Sequence, residues 1–357
     1  MGNTAYLILE NGKTFEGKFF GAQGNVTGEI VFTTGMTGYL ETLTDQGCHG
    51  QIVLQTFPLI GNYGIIPDDF ESGSVGAKAY IVKHPCENPS NFRSEGTLDA
   101  FMKERGIVGL CGIDTRSLAK IIRENGVMNG KITSYPPMNA DCEETKKYSV
   151  NYPISAISQR TVTKTGAGKR KIALLDFGVK RGITDALASH DCEVWTYPHN
   201  STAADILKMK PHGILLSNGP GNPADPGNNE IIETINILLR NSVPIFGICI
   251  GHQLLAIANG YKTKKMKFGH RGSNQPVKDT KTGSVYITSQ SHGYEVIADN
   301  ADPGLCSFVN VNDGTCEGLD YGNSFSVQFY PGARGGPLDT AFLFSRFMER
   351  IDVYASK

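Results

Sequence analysis

Pro244-Ile-Phe-Gly-Ile-Cys249-Ile-Gly-His-Gln253 is the stretch on which the fold turns. It is an apolar run of strand length that ends abruptly at a turn, with Gly247 and Gly251 two residues either side of the cysteine. This is the G-x-S-x-G elbow with sulfur in place of oxygen. The nucleophile of such an elbow sits on a strained strand-to-helix turn, and side chains at the two flanking positions would collide with neighbouring backbone. A helix is expected from Gly251 to Asn259. Its N-terminus would favour the thiolate of Cys249 and leave the Ile250 N–H as an oxyanion donor. A cysteine after a buried strand is equally an ordinary small core residue, so support must come from the rest of the chain.

Outward from the elbow the pattern alternates. Strands are expected at Lys171 to Asp176, Cys192 to Tyr197, Gly213 to Ser217 and Val243 to Ile248. Helices are expected at Lys180 to Ser189, Thr202 to Met209 and Asn229 to Arg240. Alternation at this spacing makes an α/β domain whose mostly parallel sheet is covered by helices, with ligands at the carboxyl ends of the strands. Further strands are expected at Val285 to Ser289, Tyr294 to Ile297, Ser307 to Val311 and Ser324 to Phe329, and a last helix at Asp339 to Ile351.

Ser158 to Arg170 is polar, small and basic without apolar periodicity, as a linker would be. It separates residues 171–357 from an N-terminal mixed α+β domain, 1–157. There Ala5 to Glu10, Asn11-Gly12 and Lys13 to Phe20 form a hairpin of the type I′ kind. Strands follow at Glu29 to Thr34 and Gln51 to Phe57, and helices at Ser94 to Arg105 and Thr115 to Asn125, the second started by Asp114 and stopped by Gly126.

Two domains also suit a chain of 357 residues. A formal net charge of −1, with 19% charged residues, gives no bias toward nucleic acid or an anionic membrane. No apolar run approaches the roughly 18 residues of a membrane-spanning helix. The opening Met-Gly-Asn-Thr-Ala-Tyr has no basic and apolar leader pattern. The eight cysteines form no C-x-x-C pair and no disulfide framework, so a cytoplasmic protein is expected. The histidines show no metal-ligand spacing, and no metal site is expected. The 42 glycines exceed the usual share of roughly 7% and suit a site built from loops.

A second loop, Leu216-Ser-Asn-Gly219-Pro-Gly221-Asn-Pro-Ala224, follows a strand of the same sheet, and its backbone N–H groups could complete an oxyanion hole. By itself it is a plain Gly-Pro turn. Together with the elbow and Ile287-Thr-Ser-Gln-Ser-His-Gly-Tyr294 it resembles the class I glutamine amidotransferases. Gly28 to Glu41, Pro58-Leu-Ile-Gly-Asn-Tyr-Gly64 and Gly112-Ile-Asp-Thr-Arg116 resemble the domain peculiar to the carbamoyl-phosphate synthase small chain. With Asp176-Phe-Gly-Val-Lys-Arg181 and Lys265-Met-Lys-Phe-Gly-His270, the resemblance runs nearly end to end.

The resemblance implies an enzyme subunit whose cysteine attacks the side-chain amide of L-glutamine, forms a glutamyl thioester and expels ammonia, while a histidine oriented by a glutamate moves the proton. Ammonia would pass to a large subunit, where ATP and magnesium are expected, for carbamoyl phosphate synthesis serving pyrimidines and arginine. No cofactor is implied on this chain. Residue by residue, Cys249 matches the nucleophile, and Ile250, Gly219 and Gly221 match the oxyanion and substrate loops. Gln253, Ser291, Gly293 and Tyr294 match glutamine-holding positions.

The chain departs from the family in its last motif. Gln-Phe-His-Pro-Glu is here Gln328-Phe-Tyr330-Pro-Gly332, and no histidine follows His292. Asp-Pro-Ser-Tyr is here Asp45-Gln-Gly47-Cys48, and Ser291 replaces an asparagine. A phenol with a reference pKa of about 10 does not act as a base near pH 7, and base help is typically worth about 10² to 10⁴ in rate. Glutamine hydrolysis is therefore expected to be severely reduced or absent. The alternative to a working glutaminase subunit is a small chain that scaffolds or regulates an ammonia-using partner.

Overall fold

The computed structural model describes residues 3–298, 305–332 and 334–356, with backbone alone at 139–141. The chain divides into Met1–Asn151 and Tyr152–Lys357.

In the first unit the strands are β1 (Thr4–Leu9), β2 (Thr14–Gly21), β3 (Val26–Thr33), β4 (Gln51–Gln55), β5 (Leu59–Ile60), β6 (Ala79–Val82), β7 (His84–Pro85), β8 (Val108–Cys111) and β9 (Met128–Thr133). The helices are α1 (Tyr39–Thr44), α2 (Leu98–Glu104), α3 (Thr115–Asn125) and α4 (Asn139–Lys146). Seven strands close a barrel in the order β1-β2-β8-β6-β4-β3-β9, and β5 pairs with β7. Because successive side chains of a strand point to opposite faces, β3, β4 and β6 each feed two cores. Ile30, Ile52 and Ile81 join Leu118 and Ile122 of α3. Val31, Val53 and Val82 join Leu40 of α1 and Met102 of α2. The caps of α3 are as expected: the Asp114 side chain accepts from Ser117 N–H and Gly126 ends the helix. The first hairpin differs from its expectation. Gly12 alone takes a positive φ (86°), and Gly12 N–H donates to Leu9 O, which is a type I turn followed by a left-handed glycine.

The second unit holds α5 (Pro153–Ile157), β10 (Thr163–Thr165), β11 (Arg170–Asp176), α6 (Arg181–Ser189), β12 (Cys192–Pro198), α7 (Ala203–Lys208), β13 (Gly213–Leu216), α8 (Asn229–Arg240), β14 (Ile245–Ile248) and α9 (Ile250–Ala258). It continues through β15 (Lys262–Asp279), β16 (Val285–Ile297), β17 (Cys306–Asn310), β18 (Cys316–Asp320), β19 (Phe325–Val327) and α10 (Phe342–Ala355). One sheet runs β10-β12-β11-β13-β14-β19-β18-β16-β15-β17. Its heart, β12-β11-β13-β14-β19, is parallel, and its flanks are antiparallel.

The parallel strands read as continuous apolar runs because both faces are covered. Ile172 and Leu174 of β11 face a core with Leu187 of α6 and Phe344 and Phe347 of α10. Ala173 and Leu175 face Ile206 of α7, Ile235 of α8 and Leu254 of α9. Each buried isoleucine or leucine among them contributes about 1.5–3 kcal/mol by leaving water. The strand order reverses at β11, so the crevice for a ligand lies where the loops after β11 and β13 separate.

Within the stretch 158–170, expected as a linker, Thr163–Thr165 pairs antiparallel with β12, and β11 starts at Arg170. Its three residues are all exposed on the sheet edge, so no apolar periodicity marked the strand. The helix α5, assigned to the first domain by sequence, falls in the second unit.

Candidate functional site

The loops at the carboxyl ends of β11, β13, β14 and β19 carry the residues that the motifs single out. Cys249 joins β14 to α9 with φ 57° and ψ −111°. A non-glycine residue holds that backbone only where the surroundings enforce it. The enforcement is visible at the glycines. A Cβ on Gly247 would lie 2.7 Å from Gly251 O, and one on Gly251 would lie 2.3 Å from Leu216 O. Backbone bonds pin the turn: Cys249 N–H to Val327 O at 2.9 Å, Gly251 N–H to Ser217 O at 3.1 Å, and Gln253 N–H to Cys249 O at 3.1 Å. Ile250 is the first residue of α9, where N–H groups lack intrahelical acceptors.

The loop after β13 is built onto the loop after β11. A Cβ on Gly219 would meet Phe177 O at 1.8 Å, and Gly221 has φ 101°. Asn218 bridges the two loops, its Nδ2 donating to Gly178 O at 2.8 Å and its Oδ1 accepting from Lys180 N–H at 3.0 Å. Ser217 Oγ accepts from Phe177 N–H at 2.9 Å. Such close approach of backbone to backbone explains why glycines stand here.

Tyr330 occupies the place beside the thiol. Its backbone N–H donates to Ser289 O at 3.0 Å. Its phenol O–H lies 3.6 Å from Cys249 Sγ and 3.4 Å from Ser291 O, and the Cys249 thiol faces that same carbonyl at 4.0 Å. Cys249 and Tyr330 are each only 3% exposed, so the phenol covers the sulfur. On the ring's face sits the Lys180 ammonium, 4.1 Å from the centroid. Lys180 lies in the motif Asp176 to Arg181, to which the sequence pattern assigns no site residue. Its position just after β11, at the strand-order reversal, was the available signal.

The Gln253 Nε2 donates to Tyr294 O and to Gln328 Oε1, both at 2.8 Å, and so ties α9 to β16 and to the end of β19. Gly293 lies against Arg271, whose guanidinium would be 3.2 Å from an added Cβ. Gly332 has φ 72°, and a Cβ there would lie 3.7 Å from Phe344 and 3.8 Å from Ala341. In the first unit Gly47 closes a short turn, its N–H donating to Asp45 Oδ1 at 2.8 Å.

The two nearby histidines are engaged elsewhere. His252 is fully buried, which pushes its pKa down to about 3, and its Nδ1 is 2.8 Å from Ser326 Oγ. An imidazole that weak is a poor acceptor for a thiol proton. His292, also held low by burial, has Nδ1 at 2.9 Å from Tyr294 O and Nε2 at 2.9 Å from Gln290 Oε1.

Sequence spacing concealed one constellation. Ligand atoms of His270, His292 and Glu317 lie within 4.8 Å of one another, drawn from β15, β16 and β18. Their hydrogen-bond partners are protein groups. His270 Nδ1 is 3.2 Å from Glu317 Oε1 and its Nε2 is 2.9 Å from Asp313 Oδ2. Asn310 and Gln290 donate to Glu317 at 3.2 and 3.0 Å. Burial alone would lower the His270 pKa, but hydrogen bonds to Glu317 and Asp313 outweigh it and raise it. Burial raises that of Glu317 against the same bonds. The cluster is a polar strut under β16, the strand that carries Ser291, Gly293 and Tyr294.

An elbow cysteine on a parallel sheet, with a glycine loop from the adjacent strand, defines the class I glutamine amidotransferases, whose family model matches residues 173–350. Residues 7–132 match the carbamoyl-phosphate synthase small chain, CPSase domain. The pyrimidine-specific small chain of carbamoyl phosphate synthase from Bacillus subtilis is 47% identical over 353 residues, covering 97% of this chain and 95% of its own length. The carbamoyl phosphate synthase small chain of Fusobacterium nucleatum is 46% identical over 353 residues, covering 97% and 98%. That of Streptococcus agalactiae is 45% identical over 357 residues, covering 98% and 99%. The chain belongs to the carbamoyl phosphate synthase small chain family. No helix among the described residues is long and apolar enough to cross a membrane.

Proposed function

We propose that this chain is a carbamoyl phosphate synthase small subunit that has kept the glutamine-site frame and lost glutamine turnover, and that it serves a large subunit supplied with free ammonia. The observation that carries this reading is the Tyr330 phenol 3.6 Å from Cys249 Sγ, in the position where the motif calls for an imidazole. A phenol, with a reference pKa near 10, holds its proton at neutral pH and can donate to sulfur but cannot accept the thiol proton. Thioester formation needs the thiolate, and ammonia departure needs a proton delivered to the leaving nitrogen. Cys249 keeps the helix N-terminus as a source of thiolate stabilisation, yet no described neighbour cycles a proton at the rate that an imidazole does. The phenol also fills the space next to the sulfur where the substrate amide would have to sit.

The frame argues for a retained partner rather than a decayed chain. The elbow glycines, the loop bridged by Asn218 and the β16 strut are all intact, and they give the large subunit a folded surface. ATP and magnesium belong, on this reading, to that large subunit, and no cofactor is assigned to this chain. The test is reconstitution with a carbamoyl phosphate synthase large subunit, with carbamoyl phosphate measured from ammonium chloride and from glutamine. Synthesis from ammonia alone supports the proposal. Synthesis from glutamine at a comparable rate, abolished by Cys249→Ala, replaces it with an active glutaminase subunit.

A further inference from the structure

Cys306 and Cys316 stand apart from the glutamine site, on the neighbouring antiparallel strands β17 and β18. Their sulfurs are 3.7 Å apart. They are not direct cross-strand partners, since Cys316 opposes Val309 and Cys306 opposes Leu319. Irregular register between Cys306 and Val309 swings the two side chains together. Each sulfur also faces a backbone carbonyl of its own strand, Cys306 that of Phe308 at 3.5 Å and Cys316 that of Gly318 at 3.6 Å. Both line an open cavity of about 660 Å³ whose wall includes Lys264, Lys265 and Lys267. Cys306 is half-buried, whereas Cys316 is 6% exposed and packs against Val296 and Leu319. One thiol is therefore within reach of a solute, and the other sits behind it.

We propose that Cys306 and Cys316 form an oxidisable thiol pair, in which Cys306 is the attacking sulfur and Cys316 the resolving one, and that a small-molecule disulfide converts them to a cross-strand disulfide. The Cys306 thiolate attacks one sulfur of the oxidant RS–SR, so a Cys306–S–S–R bond forms, the RS–SR bond breaks, and RS⁻ leaves to take up a proton. Cys316 then attacks Cys306 Sγ, gives its proton to the departing thiolate, and releases the second RSH. Two protein thiols are oxidised and one disulfide is reduced to two thiols. The sulfurs must close from 3.7 Å to about 2.05 Å. The hydrogen bond between the two sulfurs pushes the Cys306 pKa down and that of Cys316 up, in keeping with the division of roles. The cross-link would lie beside Glu317, whose backbone carbonyl accepts the Gln328 N–H at 2.9 Å at the start of the Tyr330 segment.

The test treats the full chain, carrying Cys249→Ala to silence the elbow thiol, with oxidised glutathione, followed by non-reducing peptide mapping and thiol titration. The expected result is a Cys306–Cys316 peptide, a loss of two titratable thiols reversed by dithiothreitol, and faster formation in the folded chain than in urea. Cys316→Ser should hold glutathione on Cys306, and Cys306→Ser should give neither adduct nor cross-link at these positions. Glutathione that stays on Cys306 while Cys316 is present overturns the proposal. So does a cross-link that forms equally fast in urea, because it would then owe nothing to the fold.

Discussion

On the proposed reading, Tyr330→His supplies a base that the chain lacks, without altering the scaffold that would hold it. The residue's backbone stays tied to Ser289 O, and an imidazole, shorter than a phenol, would approach the thiol while vacating part of the space above it. Base catalysis of this kind is worth about 10² to 10⁴ in rate, or about 2.7–5.5 kcal/mol at 1.36 kcal/mol per decade. The lower end is expected for the single variant. The Lys180 ammonium, now 4.1 Å from the ring centroid, would lie against the new imidazole and disfavour its protonated form. Gly332→Glu adds the orienting carboxylate, but at φ 72°, where a side chain costs about 1–2 kcal/mol. The double variant should therefore gain rate toward the upper end while losing about that much stability. The assay is steady-state glutamate release from glutamine, with iodoacetamide labelling of Cys249 and a thermal melt to confirm folding. A folded Tyr330→His chain with a reactive Cys249 and no gain in rate would refute the missing-base argument.

Other expectations follow from the same geometry. Gly251→Ala drives a Cβ to 2.3 Å from Leu216 O and should lower unfolding free energy by about 3 kcal/mol or more, the upper part of the overpacking range, in denaturant titration. Lys180→Met removes the ammonium from the Tyr330 ring and should cost up to about 2 kcal/mol in the same measurement, whereas no change would mean that the contact carries nothing. His270 has a raised pKa, so its stabilising contribution is complete below its ordinary value of 6.5 and is lost as pH rises through the folded value. Its partner Asp313 has a lowered pKa, so that contribution is present above the ordinary 3.8 and lost as pH falls through the folded value. The unaltered chain should lose thermal stability as pH climbs above about 6.5, and His270→Gln should flatten that slope. Equal slopes would remove the Glu317–His270–Asp313 group from the account.

The elbow was legible because its chemistry requires small residues at fixed offsets, and the absent Cβ atoms of Gly247 and Gly251 are where the clashes would be. The parallel core was legible because strands covered on both faces become unbroken apolar runs, as in Ile172 to Leu175. The exchange of imidazole for phenol at Tyr330 was visible as a residue, but its contact with the thiol was not. β15 escaped notice: it runs 18 residues, Lys262–Asp279, with irregular register between Lys265 and His270 and again between Gly272 and Gln275, so no period of two survives along it. The same length of strand brings His270 to Glu317, a meeting that depends on strand pairing across 47 residues and leaves no local pattern. The barrel closure of the first unit depends likewise on β1 pairing with β9, far apart in sequence. The boundary between the units lies earlier than composition suggested because Ile154 of α5 packs into the core of the second unit.

On the proposed reading, Cys249 is in place and an imidazole to take its proton is not. The measurement that meets this most directly is glutamate release by the unaltered chain, alone and with a large subunit, against Cys249→Ala as the blank. Rates indistinguishable from the blank are expected in both settings. Release well above the blank and dependent on Cys249 would contradict it, and would mean that Tyr330, Lys180 or another group moves the proton after all.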